Sequence, residues 1–140
     1  MGKVNPKKIA LDSNVFIYHF EENLHFIPFT RKIFQELSSK NLKAITSVIS
    51  LVETLAYPAP QKVIEAIKEA FSTLPNVTIV NVDQQIAIEA ARIRRNYKFR
   101  LPDAIQLATA LYAKAQIFVT NDKRLKVFKQ LPITLLTEIV

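Results

Sequence analysis

Four acidic side chains in this sequence have neighbours that suit them to chemistry as well as to solvation. Asp12 closes the apolar run KIAL, and Asp122 follows IFVT in the stretch FVTNDKRL. Asp103 comes directly after a proline in RLPDAIQLATAL, and Glu53 lies inside TSVISLVETLA. Between Glu89 and Glu138 there are ten Lys or Arg and only two acids, Asp103 and Asp122, so these carboxylates stand alone in a basic segment. Four carboxylates drawn together repel, and burial raises some of their pKa values, unless divalent cations neutralise the group. Hard oxygen ligands suit Mg²⁺ or Mn²⁺, which keep part of their water shell and share sites with substrate phosphates. A metal held this way activates water and stabilises the attacking and leaving oxygens of a phosphodiester, with no side-chain nucleophile or histidine base. The expected chemistry is phosphodiester hydrolysis by metal-activated water, with Asp12, Glu53, Asp103 and Asp122 as both catalytic and metal-ligating residues.

Each acid taken singly has a plainer explanation. Asp12 and Asp122 suit helix N-caps, Asp103 would complement a helix dipole from a first turn, and Ser50-x-x-Glu53 matches a capping box. That last match reads as a decoy, because the helical pattern has already begun by Val48. Glu53 is placed at the border of an apolar stripe formed by Val48, Leu51, Val52 and Leu55, where a carboxylate without a partner is unfavourable. The combination of the four carries the reading.

Their neighbours supply further candidates. Asn14, Thr120 and Asn121 are small polar residues placed to orient the carboxylates or their waters. Net charge is +7, from 19 basic and 12 acidic residues, which favours a polyanionic partner. Arg92, Arg95, Lys98 and Arg100 in one cluster, and Lys123 and Arg124 in another, are candidates for holding a nucleic-acid backbone. Phe20, Phe26, Phe29 and Tyr97 suit base stacking, but aromatics at such places more commonly pack in a core or a dimer contact. No cysteine is present, and His19 and His25 are expected at the surface, so zinc is disfavoured. The only glycine is Gly2. Dinucleotide-binding and phosphate-loop motifs, both of which need glycine for close approach to phosphate, are therefore excluded.

The elements that must position the acids alternate along the chain. Strands are predicted at 8–12, 43–46, 77–82, 117–120 and 133–139. Helices are predicted at 28–39, 47–57, 62–72 and 84–96, with another opening at Pro102, a residue favoured at a first helical position. Strands separated by helices imply right-handed crossovers and a mostly parallel sheet covered on both faces. Ligands in such sheets bind beyond the carboxyl ends of the strands, where these acids fall. The 140 residues suit one domain, 1–140. No apolar run approaches the ~20 residues of a membrane span, and with cysteine absent a soluble, cytoplasmic protein that does not bind membranes is expected.

The pieces LDSNVFIY, TSVISLVETLA, RLPDAIQLATAL and FVTNDKRL, in that order and spacing, resemble a PIN domain, and within that family the VapC-type toxin ribonucleases of toxin–antitoxin pairs. The resemblance spans about residues 8–139. It implies a three-layer α/β/α fold with a central, mostly parallel sheet of about five strands. It also implies a Mg²⁺- or Mn²⁺-dependent endoribonuclease site at Asp12, Glu53, Asp103 and Asp122, frequent homodimerisation, and inhibition by a small antitoxin protein. Some relatives carry a further acid where this chain has Arg124, which leaves four acids, enough for one firmly held metal. Two alternatives stand beside the toxin: a PIN nuclease of RNA processing or decay, and a non-catalytic RNA-binding module on the same fold.

Overall fold

The computed structural model describes residues 6–39 and 41–139. Five strands, β1 (Lys8–Leu11), β2 (Lys43–Ser47), β3 (Val77–Val80), β4 (Ile117–Thr120) and β5 (Ile133–Leu135), form one sheet in the order β3-β2-β1-β4-β5. Every pairing is parallel. In register, Ile45, Ala10, Phe118 and Ile133 form a row across the sheet, and all four face the same buried layer. Ile9, Leu11, Ala44 and Val119 face the other. Both faces are covered, which is why the strands read as continuous apolar runs rather than as alternating ones.

On one side lie α5 (Gln84–Tyr97) and α6 (Leu101–Tyr112), with the 3₁₀ turn Lys123–Val127. The small side chains Ala90, Ala104 and Ala108 allow α5 and α6 to pack closely against each other and the sheet. Asp83 caps α5 by accepting from the Ile86 main-chain N–H, and Lys98 ends it in the left-handed conformation at φ 60°. On the other side lie α1 (Ser13–Phe20), α2 (Ile27–Ser38) and Phe71 of α4 (Gln61–Ser72). The result is the three-layer α/β/α architecture expected from the sequence.

Three details differ from expectation. The helix α1 has no counterpart among the predicted elements. Its residues, SNVFIYHF, are β-branched and aromatic almost throughout, because it packs against α2, α3 (Ile49–Leu55) and β4 and so shows no clear polar face. Second, α3 (Ile49–Leu55) does not bury the predicted stripe. Its buried side chains are Ser50 and Thr54, while Val52 is 61% exposed. The helix sits over a polar network at the sheet rim, so its inner face is hydroxylic rather than apolar. Ser50 lies inside the helix and makes no cap, so the capping-box match is indeed a decoy. Third, β3 and β5 are shorter than predicted, and the chain after Leu135 turns into a 3₁₀ segment, Leu136–Glu138.

Candidate active site

Asp12 leaves the carboxyl end of β1 and caps α1. Its main-chain N–H donates to the Val119 carbonyl (2.9 Å), which fixes it beside β4. One carboxylate oxygen accepts from the Ser13 main-chain N–H (2.8 Å), and the other accepts from the Thr120 hydroxyl (2.7 Å). The residue is 5% exposed, and no cation pairs with it among the described residues. Burial pushes its pKa from 3.8 up to about 6, against the two hydrogen bonds and with the help of negative Asp103 and Glu53. Thr120 also accepts from the Asp122 main-chain N–H (3.1 Å) and from Asn14 Nδ2 (3.4 Å). One hydroxyl at the end of β4 thereby ties Asp12, Asn14 and Asp122 together.

Glu53 is oriented from below by a buried chain of hydroxyls. The Ser13 hydroxyl donates to Glu53 Oε1 (2.5 Å) and accepts from Gln106 Nε2 (3.0 Å). The other amide hydrogen of Gln106 goes to Ser50 Oγ (2.8 Å). Thr46 spends its one hydroxyl hydrogen on the Leu11 carbonyl (2.7 Å), so in the Ser50 to Thr46 contact (2.6 Å) Ser50 is the donor. Gln106 Oε1 accepts from the Ser47 main-chain N–H (3.3 Å). Gln106 is therefore the source of two directed chains, one ending on Glu53 and the other on a strand carbonyl. Sequence reasoning missed Gln106, Ser13, Ser50 and Thr46. The available signal was Gln106 itself, a polar residue one turn after Asp103 in an otherwise apolar helix.

Asp103 lies in the first turn of α6, with its side chain 7% exposed, and receives Arg100 Nε at 3.1 Å. Asp122 caps the 3₁₀ turn by accepting from the Arg124 main-chain N–H (3.0 Å). The Arg124 guanidinium grips the same carboxylate through Nε (3.0 Å) and Nη2 (2.5 Å), and Nη2 lies 3.9 Å from Asp103. The hydrogen bonds from Arg124 hold the Asp122 carboxyl below the usual carboxylate range.

The cap and first-turn explanations thus hold for Asp12, Asp122 and Asp103, and the same three side chains still meet at one rim with Glu53. Of the basic candidates, Arg100 and Arg124 reach the acids directly. Arg92 is turned away, bonded to Glu89 and Gln130. Arg95, Lys98 and Lys123 are exposed, with no ion pair among the described residues. Asn121 donates to the Tyr18 hydroxyl (3.1 Å) and to none of the four carboxylates. His19 is half-buried rather than fully exposed: it bonds Thr30 Oγ1 (3.0 Å), packs on Phe34, and burial lowers its pKa. His25 is exposed. Phe20, Phe26, Phe29 and Tyr97 pack against the two cores.

As placed, no three Asp, Glu or His among the described residues cluster tightly enough to enclose a metal ion. The donor set nevertheless suits Mg²⁺ or Mn²⁺. It offers hard oxygens only, a buried carboxylate at Asp12 without a counter-ion, and the buried Asn14 Oδ1, which lacks a hydrogen-bond partner. Asp12, Asn14, Glu53, Asp103 and Asp122 are the residues that would hold such an ion.

Residues 9–131 match the PIN domain family. The chain belongs to the PIN domain family. No curated protein matches this PIN domain at a significant level. Among solved structures, it is similar to a chain of VapBC2 from Rickettsia felis bound to a promoter DNA fragment, at 17% identity and TM-score 0.74, covering 91% of this chain and 98% of that one. It is also similar to a chain of DNA-bound VapBC from Salmonella typhimurium (20%, TM-score 0.72, 92% and 98%). A toxin–antitoxin complex from Klebsiella pneumoniae gives 23% and TM-score 0.67, over 90% and 95%. At these identities the likeness is one of fold. Among the described residues, no helix of this PIN domain is long and apolar enough to cross a membrane.

Proposed function

We propose that this PIN domain is a Mg²⁺- or Mn²⁺-dependent endoribonuclease, residues 1–140 forming one nuclease domain, and that it is the toxin of a toxin–antitoxin pair. The observation that carries the reading is Asp12. A carboxylate buried at the carboxyl end of the central strand, with no cationic partner among the described residues and with Glu53 and Asp103 close enough to raise its pKa, is poorly placed unless a cation joins it. When bound, the divalent ion supplies positive charge to the scissile phosphate and activates water for attack. The chain does the positioning. Thr120 and the Ser13 N–H fix both oxygens of Asp12, and the Gln106 to Ser13 chain fixes Glu53. Arg100 and Arg124 present guanidinium groups at the mouth, matched to backbone phosphates.

The toxin assignment draws its support from the fold neighbours, which are chains of toxin–antitoxin complexes. It brings a small antitoxin partner, homodimerisation and a cytoplasmic location with it. The test is cleavage of RNA by purified protein with Mg²⁺ or Mn²⁺, abolished by chelator and by Glu53→Gln or Asp103→Asn in variants that keep their melting temperature. A metal-saturated protein that cuts no RNA, while Asp12→Asn and Asp103→Asn leave Mn²⁺ affinity unchanged, refutes the reading. Purification from the native cell with a small tightly bound protein supports the toxin role, whereas association with ribosomal particles instead points to RNA processing.

A further inference from the structure

Arg124 holds Asp122 with both its backbone and its side chain, and the two attachments differ in permanence. The main-chain N–H bond to Oδ1 belongs to the cap of the 3₁₀ turn and persists wherever the side chain goes. The guanidinium lies across both oxygens of Asp122 and extends to within 3.9 Å of Asp103, yet the side chain is 65% exposed, so solvent lies open to it if those bonds are exchanged. Asp103 by contrast is nearly buried and fixed on α6. The oxygens that Arg124 covers are thus the ones a divalent ion at the rim would need, and guanidinium and metal cannot share them without like-charge repulsion. Arg100, which donates to both Asp103 oxygens at 3.1 and 3.4 Å, adds to that repulsion.

We infer that Arg124 is an exchangeable internal counter-ion: it occupies Asp103 and Asp122, is displaced when a divalent cation takes those carboxylates, and is thereby released to bind an RNA backbone phosphate. The inference rests on the metal-dependent nuclease reading above. A guanidinium fork fits phosphate as well as carboxylate, so the displaced side chain has a second partner of the same geometry on the substrate. Coupling of this kind is reciprocal: whatever draws Arg124 away tightens metal binding by the factor that metal binding frees Arg124. An exposed ion pair sets the scale, a change of roughly twofold to fivefold in affinity.

The experiment is Mn²⁺ binding to the full, chelator-stripped chain by calorimetry. Wild type is compared with Arg124→Ala, with Lys123→Ala as a control for net charge, and with Asp103→Asn. A parallel Mg²⁺ titration follows the Arg124 Nε–H signal by NMR. Arg124→Ala is expected to bind Mn²⁺ about two- to fivefold tighter than wild type, and Lys123→Ala to change affinity less. The Arg124 signal is expected to move toward that of free arginine as Mg²⁺ saturates. Binding that depends on Asp103 but is unaltered or weakened in Arg124→Ala overturns the inference alone. So does equal tightening in Lys123→Ala, or an Arg124 signal that does not move. No Mn²⁺ binding by any variant, or binding indifferent to Asp103→Asn, overturns the metal site and the inference with it.

Discussion

Replacing Asp12 with asparagine is expected to stabilise the chelator-treated protein at neutral and higher pH. Burial moves the Asp12 pKa from 3.8 to about 6, so between those values the folded state binds more protons than the unfolded one. The sign follows from linkage. The contribution of Asp12 to stability is greatest below about pH 4, falls as pH rises toward 6, and above that carries the full cost of ionising a buried carboxyl, about 3 kcal/mol. Asparagine has no charge to desolvate, but it offers one acceptor where Asp12 offers two, to the Ser13 N–H and the Thr120 hydroxyl. Losing one such hydrogen bond returns about 1 kcal/mol. Asp12→Asn is therefore expected to be more stable than wild type by about 2 kcal/mol at pH 8 and slightly less stable near pH 4. Urea unfolding in EDTA from pH 4 to 8 measures the difference. Adding Mg²⁺ at ~100-fold above its dissociation constant raises wild-type stability by about 3 kcal/mol and the variant's by little, which reverses the order. A variant equal to or less stable than wild type at pH 8, or an offset that does not change with pH, would refute the reasoning.

Other outcomes follow from the same contacts. Thr120→Val removes a hydrogen bond that lowers the Asp12 pKa, so the midpoint of a carbon-13 carboxyl titration of Asp12 should move above about 6; an unmoved midpoint contradicts the role given to that hydroxyl. Gln106→Leu leaves the buried Ser47 N–H and two serine hydroxyls without their partner. A loss of ~1–3 kcal/mol in urea unfolding is expected, and a neutral change would show the network relaxes at no cost. Burial lowers the His19 pKa below 6.5, so the stability contributed by its neutral ring is complete above that value and declines as pH falls through the unfolded-state pKa. Proton NMR of the His19 ring should show a midpoint below 6.5, and one at or above that value contradicts the burial argument.

The parts of this fold that were readable in the sequence are those where periodicity follows burial. The strands at 8–12, 43–46 and 117–120 and the helix at 84–96 lie on the two cores, and their apolar runs or stripes say so. Helix α1 was not readable, because a helix covered by α2, α3 and β4 has no polar face to set its period. The inner face of α3 was assigned to Val48, Leu51, Val52 and Leu55, on the assumption that apolar means buried, whereas at the rim of this parallel sheet the buried side chains are Ser50, which serves a polar network, and Thr54. Asp12, Asp103 and Asp122 stood out as candidates because each adjoins a strand end or a helix start, features that local patterns do reveal, whereas Glu53, inside α3, stood out only by its place beside apolar neighbours. Gln106 was harder. Its role depends on three hydroxyls from β2, α1 and α3, brought together by the crossover topology and not by spacing along the chain. Arg124 was visible as a basic residue, but its grip on Asp122 depends on the tight 3₁₀ turn that places i and i+2 side by side.

The central claim is that Asp12, Glu53, Asp103 and Asp122 share a divalent cation. A crystal structure of the protein grown with Mn²⁺, with anomalous scattering recorded at the manganese edge, tests it most directly. The expected result is an anomalous peak between Asp12 and Asp103, with carboxylate oxygens at roughly 2.0–2.2 Å and the Arg124 guanidinium withdrawn from Asp103. A peak elsewhere on the surface, or no peak at saturating Mn²⁺ with Arg100 and Arg124 still seated on the acids, would contradict it.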